Sequence, residues 1–231
     1  MLDHLVYATP ALLDTVAALE RALGVRPAEG GRHLGLGTRN YLLGLGGRRY
    51  LEIVGPDPEQ PEPDGPRWFS VDELDGPRLV NWCVRPADLD GTLAEARRHG
   101  LDLGEPRPMS RRTVDGELLE WRLTMPGRDP LTPFLIDWGA TVHPAERGLP
   151  EVPLLSLTGR HPDPERARAR LRALGMKPDA ERGAELGVER GVEPDAGGGV
   201  ELGVERGVEL EVERGDVPAL VARLAGGVVL T

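Results

Sequence analysis

The sequence is poor in cysteine and lacks long apolar runs. Cys83 is the only cysteine among 231 residues, so no disulfide can form within the chain, which is typical of a reducing compartment. No apolar run approaches the ~20 residues that a membrane-spanning helix needs. The N-terminus lacks the charged segment and apolar stretch of a secretory signal. These absences predict a cytoplasmic protein that does not contact a membrane.

Lysine is almost absent, and positive charge is outweighed by negative charge. Lys177 is the only lysine, and the formal net charge is −10. Nucleic-acid-binding proteins usually carry a basic patch, whereas the arginines here are scattered, so nucleic acid is not a predicted partner. The preference for arginine, with 31 glycines and 22 prolines, is typical of a GC-rich genome, and we expect a bacterial source.

A strand followed by an amphipathic helix occurs three times. Residues 4–8, 80–84 and 154–158 read as strands, and each is followed by a helical apolar stripe. The three helices end at glycines with nearly constant spacing, Gly24, Gly100 and Gly175, because glycine adopts the left-handed conformation at low cost. The regular spacing indicates an internal repeat.

Strand and hairpin signals follow the first two helices. Gly46-Gly47 and Asp115-Gly116 each separate two β-like runs, as in a tight hairpin. Each unit therefore predicts a βαβββ module, whose sheet has one uncovered face and must pair with another.

We predict an α+β fold in which tandem βαβββ modules form a curved mixed sheet around a pocket. Modules at about 1–57 and 79–140 pair within a domain at 1–150, and residues 151–231 form a third, degenerate module. Whether the first two modules pair within one chain or between two chains, in a homodimer, is left open.

Two further segments have unusual composition. The proline-rich residues 55–67 are interpreted as an extended loop that could cover the pocket. Residues 184–215 repeat a Glu-, Val- and Gly-rich unit, which we interpret as a weakly packed duplication with strand-like alternation.

Several motifs resemble a known superfamily. Residues 3–4, 23–24 and 50–54 are similar to those of the glyoxalase, bleomycin-resistance and extradiol-dioxygenase proteins, the vicinal-oxygen-chelate superfamily. More narrowly, residues 33–40 and 108–116 resemble the glyoxalase-like domain proteins. The resemblance covers about residues 1–140 and implies a pocket for a small-molecule ligand.

The resemblance also implies a metal site. In metal-using relatives, ligands come from the first and last strands of two modules, which here selects His4, Glu52 and Asp137. One histidine and two carboxylates would suit a divalent metal such as Fe, Mn, Zn or Ni. The fourth position is Val80, which cannot bind a metal, so a protein without a cofactor remains an alternative.

Other polar residues are candidates for catalysis or binding. Glu52 would act as a base or ligand if it faces the pocket, the alternative being a salt bridge to Arg39 or Arg48. Arg111 or Arg112 would hold an anionic group, the alternative being that both are solvated. The ligand-binding candidates, for which turn or core roles are the alternatives, are His33, Thr38, Asn40, Trp82 and Trp121.

These observations favour a glyoxalase-like enzyme of unknown substrate. It would be a lyase, isomerase or dioxygenase that acts on an anionic or vicinal-oxygen compound, either with a divalent metal or without one. The alternative function is a non-catalytic protein that binds a small molecule or drug, as resistance proteins do.

Overall fold

The computed structural model describes residues 1–178 and 210–231, and its first eight strands close into a barrel. The barrel strands are β1 (Leu2–Ala8), β2 (Ala28–His33), β3 (Thr38–Gly44), β4 (Tyr50–Pro56), β5 (Arg78–Val84), β6 (Arg107–Arg112), β7 (Leu118–Leu123) and β8 (Phe134–Asp137). Their order around the barrel is β1-β4-β3-β2-β6-β7-β8-β5.

Each half of the barrel is one βαβββ module. Helix α1 (Leu12–Leu23) follows β1, and helix α2 (Leu89–Arg98) follows β5. The modules meet along β1 and β5, which pair antiparallel over most of their length, and along β2 and β6, which share one residue pair, Arg32 with Arg112. The predicted α+β class, the βαβββ modules and the curved sheet around a pocket are confirmed.

Two apolar cores lie on the two faces of the barrel wall. The outer core joins the wall to the helices, and α1 contributes Leu12, Val16 and Leu19 to it. The inner core fills part of the barrel with side chains such as Val6 and Leu119. Alternation along each strand produces this division, because successive side chains point to opposite faces of a sheet.

The third unit is a separate four-stranded sheet. It consists of β9 (Leu154–His161), helix α3 (Pro164–Ala173), β10 (Leu210–Arg214), β11 (Ala219–Leu224) and β12 (Val229–Leu230), in the order β10-β9-β11-β12. Its buried leucines belong to the outer core of the barrel, so the two sheets pack together. The proposed domain division at residue 150 stays a prediction.

The repetitive segment is only partly described. Residues 210–214 form β10, and most of the predicted repeat, residues 184–209, lies outside the described residues. Among the helices of the described part of the chain, none is long and apolar enough to cross a membrane.

Candidate active site

A cavity lies inside the barrel and opens to solvent. The space between its walls is about 410 Å³ when the open solvent is included, and the centre of a water-sized sphere can occupy about 30 Å³ of it. Both modules contribute to it, so the barrel must close before the cavity exists. Its lining consists of His4, His33, Asn40, Tyr50, Glu52, Trp68, Phe69, Arg111, Trp121, Leu123, Phe134, Ile136 and Trp138.

Glu52 is a buried carboxylate at the centre of the polar part of this lining. Asn40 Nδ2 on the neighbouring strand donates a hydrogen bond to Glu52 Oε1 at 2.6 Å. Two imidazoles flank the same carboxylate, with His4 Nε2 3.8 Å from Oε2 and His33 Nε2 3.6 Å from Oε1. The arginines named as alternative partners lie elsewhere, since Arg39 pairs with Glu29 and Arg48 with Glu146. Glu52 therefore faces the cavity, and it forms no salt bridge with any arginine of residues 1–178 and 210–231.

His33 is the second buried imidazole beside Glu52. Burial lowers the pKa of His33, and the positive charge of Arg111 lowers it further, against the opposing effect of Glu52. Its Nδ1 lies 3.0 Å from Thr38 Oγ1, behind the ring. The neutral imidazole is therefore favoured at this position.

Arg111 is a buried guanidinium that faces the cavity without a carboxylate partner. It donates a hydrogen bond to the carbonyl oxygen of Gly30, and within the described ranges no carboxylate lies within salt-bridge distance of it. Burial lowers the pKa of Arg111, whereas Tyr50 and Glu52 act to raise it. An unbalanced buried cation is costly unless an anion approaches it, so the site is suited to an anionic ligand.

The Gly30-Gly31 pair makes this arrangement possible. β2 has a bulge here, because Glu29 pairs with Tyr41 and Gly31 already pairs with Asn40. A Cβ on Gly30 would clash with the Asn40 side chain, and one on Gly31 would clash with the carbonyl oxygen of Arg112. The absence of side chains leaves room for Asn40 to reach Glu52.

Aromatic side chains form the rest of the wall. A 3₁₀ segment, Trp68–Glu73, follows the proline-rich loop and places Trp68 on His33, with ring centroids 6.4 Å apart. Phe69 packs 6.2 Å from Phe134. Phe69 and Ser70 have left-handed backbones, with φ of 58° and 51°, a conformation that costs L-residues energy. The cover predicted for residues 55–67 is thus supplied by the segment that follows them.

Two polar atoms in the lining have no hydrogen-bond partner in the described part of the protein. They are Asn40 Oδ1 and Trp121 Nε1, and both are buried. A buried polar group without a partner is rare. Asn40 Oδ1 lies against Gly30, and Trp121 Nε1 is a donor without a partner among the described residues.

Comparison with known proteins places the chain in a family. A family model described as a glyoxalase-like domain matches residues 2–175. The chain belongs to the glyoxalase-like family. This family is part of the vicinal-oxygen-chelate superfamily, as the motifs of the sequence indicated. No curated protein matches the sequence significantly.

Several solved structures resemble the glyoxalase-like chain. A hypothetical protein from Staphylococcus aureus is 14% identical, with 99% of this chain and 96% of that chain covered and a TM-score of 0.66. Methylmalonyl-CoA epimerase from Mycobacterium tuberculosis is 18% identical, with 58% and 84% covered and a TM-score of 0.37. A mutant 4-hydroxymandelate synthase from Streptomyces coelicolor is 14% identical, with 75% and 51% covered and a TM-score of 0.46. At 14% identity, the likeness to the Staphylococcus aureus protein shows the fold alone.

The structure brings most of the predicted site residues together. Six of them line the cavity, and Thr38 supports one of the six from behind. The six are His4, His33, Asn40, Glu52, Arg111 and Trp121. Their roles in binding or catalysis stay predictions.

Three predicted site residues do not reach the cavity. Asp137 follows the inward-facing Ile136, points outward and pairs with Arg122 at 3.0 Å. Arg112 is exposed and donates to the carbonyl oxygen of Gly116. Trp82 lies opposite Leu5 on the outer face, where its Nε1 donates to a backbone carbonyl. The expectation that Asp137 and Trp82 face the pocket is wrong, because each is one residue out of phase with the inward positions. Arg112 is the outward member of its pair with Arg111, as alternation along a strand predicts.

The donor set fits a divalent metal poorly. Of the ligands implied by the superfamily, the first module supplies His4 and Glu52, but β8 of the second module presents Phe134 and Ile136 to the cavity. The buried group of Asp3, His4 and Cys83 has its ligand atoms within 4.8 Å of one another. The oxygens of Asp3, however, already accept hydrogen bonds, one of them from the positively charged Arg85. We therefore derive no step through a metal.

Several site residues were not singled out from the sequence. They are Asp3, Tyr50, Trp68, Phe69, Phe134, Trp138 and His143. Alternation along β8 would have indicated Phe134, two residues before Ile136. Asp3 carried no such signal, because an ordinary strand would have turned it away from His4.

Proposed function

We propose that this protein is a small-molecule enzyme that moves a proton at a carbon atom next to a carboxylate or carbonyl group. The observation that carries the proposal is a buried carboxylate, Glu52, and a buried guanidinium, Arg111, that line one cavity without forming a salt bridge to each other. A base and an anion-binding group are then both available to the same ligand. The reaction would be of the lyase or isomerase type.

Arg111 would hold the anionic end of the substrate. Its guanidinium offers planar donors that match a carboxylate in two parallel hydrogen bonds. Burial on the cavity wall removes competing water, which strengthens such a contact. The substrate class that fits is a small 2-oxo or 2-hydroxy carboxylate, whose neighbouring oxygen atoms would also reach the unpaired donor of Trp121.

Glu52 would take the proton. Asn40 fixes Oε1 through its hydrogen bond, which leaves Oε2 as the freer oxygen. When the carbon–hydrogen bond breaks, its electron pair moves to the neighbouring oxygen of the substrate. Burial raises the pKa of Tyr50 well above its ordinary value, with Asp3 and Glu52 adding to the effect, so its hydroxyl stays protonated and would donate a hydrogen bond to that oxygen.

Proton exchange in deuterium oxide tests this proposal without knowledge of the natural substrate. Pyruvate, phenylpyruvate, lactate and mandelate would be incubated with the protein, and loss of the carbon-bound proton followed by NMR. We expect faster exchange with the wild type than with buffer for at least one compound. Glu52→Gln should reduce the rate by about 10²-fold or more, because a positioned base contributes this much.

Glu59→Gln is the matched control, since Glu59 is an exposed carboxylate paired with Arg32. Exchange that is unchanged in Glu52→Gln, or reduced equally in Glu59→Gln, contradicts the role of Glu52 as the base. Tight binding of the compounds without exchange would instead support the second function, a non-catalytic binding protein. The aromatic lining of the cavity favours that alternative, because planar ligands stack on such walls.

A further inference from the structure

Asp3 is a buried carboxylate outside the cavity that contacts a residue inside it. Asp3 Oδ1 lies 2.7 Å from His4 Nδ1. The opposite ring nitrogen of His4, Nε2, faces Glu52. Asp3, His4 and Glu52 therefore form a row that leads from the barrel wall to the proposed base.

A bulge in β1 makes this contact between neighbours in sequence possible. Leu2 pairs with Val84 and His4 with Cys83, so Asp3 is an extra residue without a partner on β5. In a regular strand, side chains of successive residues point to opposite faces. The bulge redirects them, and the Asp3 carboxylate reaches the edge of the adjacent ring.

The second oxygen of Asp3 is held by three other donors. Trp138 Nε1 and His143 Nε2 each lie 3.1 Å from Oδ2, and Arg85 donates to it at 3.3 Å. Because these donors occupy Oδ2, Oδ1 remains for His4. The carboxylate is thus fixed by groups from separate parts of the chain and has no freedom to turn away.

Asp3 is also kept ionised. Trp138, His143 and Arg85 all donate to Oδ2, and hydrogen bonds to the charged form of a carboxyl group favour that form. An ionised carboxylate accepts hydrogen bonds and cannot donate one. The hydrogen between Asp3 and His4 must therefore belong to Nδ1 of the imidazole.

We propose that Asp3 is a positioning residue that holds His4 in the tautomer with hydrogen on Nδ1 and presents Nε2 as a second proton acceptor beside Glu52. The inference rests on the proposed function. Glu52 takes the proton from the substrate carbon, whose electron pair stays on the substrate as an enolate. His4 Nε2 receives that proton from Glu52, becomes an imidazolium, and returns the proton to the substrate at a neighbouring atom, which restores the neutral ring.

The tautomer of His4 can be read directly from two-bond ¹H–¹⁵N correlation spectra of the labelled full-length protein. Spectra would be recorded at about pH 8, where an ordinary imidazole is neutral, and the His4 signals assigned from their absence in His4→Gln. We expect hydrogen on Nδ1 in the wild type. Asp3→Asn should shift the ring towards hydrogen on Nε2, because the asparagine amide can donate to Nδ1.

Arg85→Gln is the matched control, since it removes another contact of Asp3 and leaves that with His4 intact. Its His4 tautomer should equal that of the wild type. Hydrogen on Nε2 in the wild type overturns the proposal, and so does the wild-type tautomer in folded Asp3→Asn. The wild-type spectrum decides the matter even if Asp3→Asn does not fold.

The proton-exchange assay separates this inference from the proposed function. If both hold, Asp3→Asn slows exchange by about 10²-fold without a change in the dissociation constant of the exchanging compound. A wild-type protein with the expected tautomer but no exchange contradicts the proposed function alone. Exchange at the full rate in folded Asp3→Asn, with a shifted tautomer, contradicts the role given to Asp3.

Discussion

Replacing Arg111 by methionine should remove the preference of the cavity for anions. Methionine keeps much of the length and apolar character of the side chain and removes the charge. Arg112→Met is a matched control, because the neighbouring residue lies on the same strand, is exposed and points away from the cavity. The two variants have the same composition and net charge, so any difference reflects position.

The magnitude follows from the contacts that Arg111 can make. Its described hydrogen bond, to Gly30, leaves other guanidinium donors for a ligand. A hydrogen bond to a charged group contributes about 1.5–3 kcal/mol, which corresponds to roughly 10- to 150-fold in affinity. We expect Arg111→Met to weaken carboxylate binding by this factor, and Arg112→Met to leave it within about twofold.

Titration calorimetry with benzoate and its uncharged analogue benzamide measures the effect. Both rings suit the aromatic wall, so the difference between them isolates the charge. The wild type and Arg112→Met should bind benzoate more tightly than benzamide, and Arg111→Met should bind the two alike. Equal losses in both variants, or unchanged benzoate binding in folded Arg111→Met, would refute the reasoning. Thermal unfolding of each variant shows whether the barrel remains closed.

Two further predictions concern stability. Burial lowers the pKa of His33, so the unfolded chain takes up a proton at higher pH than the folded one. The free energy of unfolding should therefore fall as pH drops through about 6.5, by up to about 1.4 kcal/mol per pH unit. Urea unfolding between about pH 5.5 and 8 should show this slope, which His33→Gln should flatten; an equal slope in both contradicts the assignment. Ser70→Gly should raise the free energy of unfolding by up to about 1 kcal/mol, because Ser70 has a left-handed backbone with φ of 51°. Gly24→Ala should lower the free energy of unfolding by about 1 kcal/mol, because Gly24 has φ of 69°. A lower free energy of unfolding for Ser70→Gly in denaturant would contradict backbone strain at this residue.

The fold could be predicted because its signals are local and repeated. The signals are the apolar stripe of each helix, the glycine at its C-terminal end, and hairpin turns such as Asp115-Gly116. Each depends on a few neighbouring residues. Their recurrence in the first two units reveals the modules. Closure into a barrel was not predicted, since it depends on contacts between β2 and β6 that are distant in sequence.

The candidate site was predictable only where strand phase was clear. Glu52 lies in a regular apolar strand, so alternation along the strand predicts which face of the sheet its side chain lies on. At Asp137 the analogy to the superfamily was one residue out of phase, and a shift of one residue moves a side chain to the opposite face. Trp82 shows the same effect on β5, whose pairing with β1 is interrupted by irregularities.

Bulges and strained segments account for the residues that the sequence did not indicate. The position of Asp3 depends on an extra residue in β1, which no pattern of residue types revealed. Trp68 and Phe69 follow a proline-rich loop and reach the cavity through an unusual backbone. Such features arise from the assembled barrel, so reasoning from local propensity could not have located them.

The narrow contact between β2 and β6 has a consequence for how the barrel opens. One backbone pair joins these strands, and the Arg111 side chain spans the same junction to reach Gly30. An anion that draws the guanidinium into the cavity would compete with the hydrogen bond from Arg111 to Gly30. Recognition of the ligand and integrity of the wall are therefore coupled through one side chain, and the two halves of the molecule would part first at the place where the ligand is held.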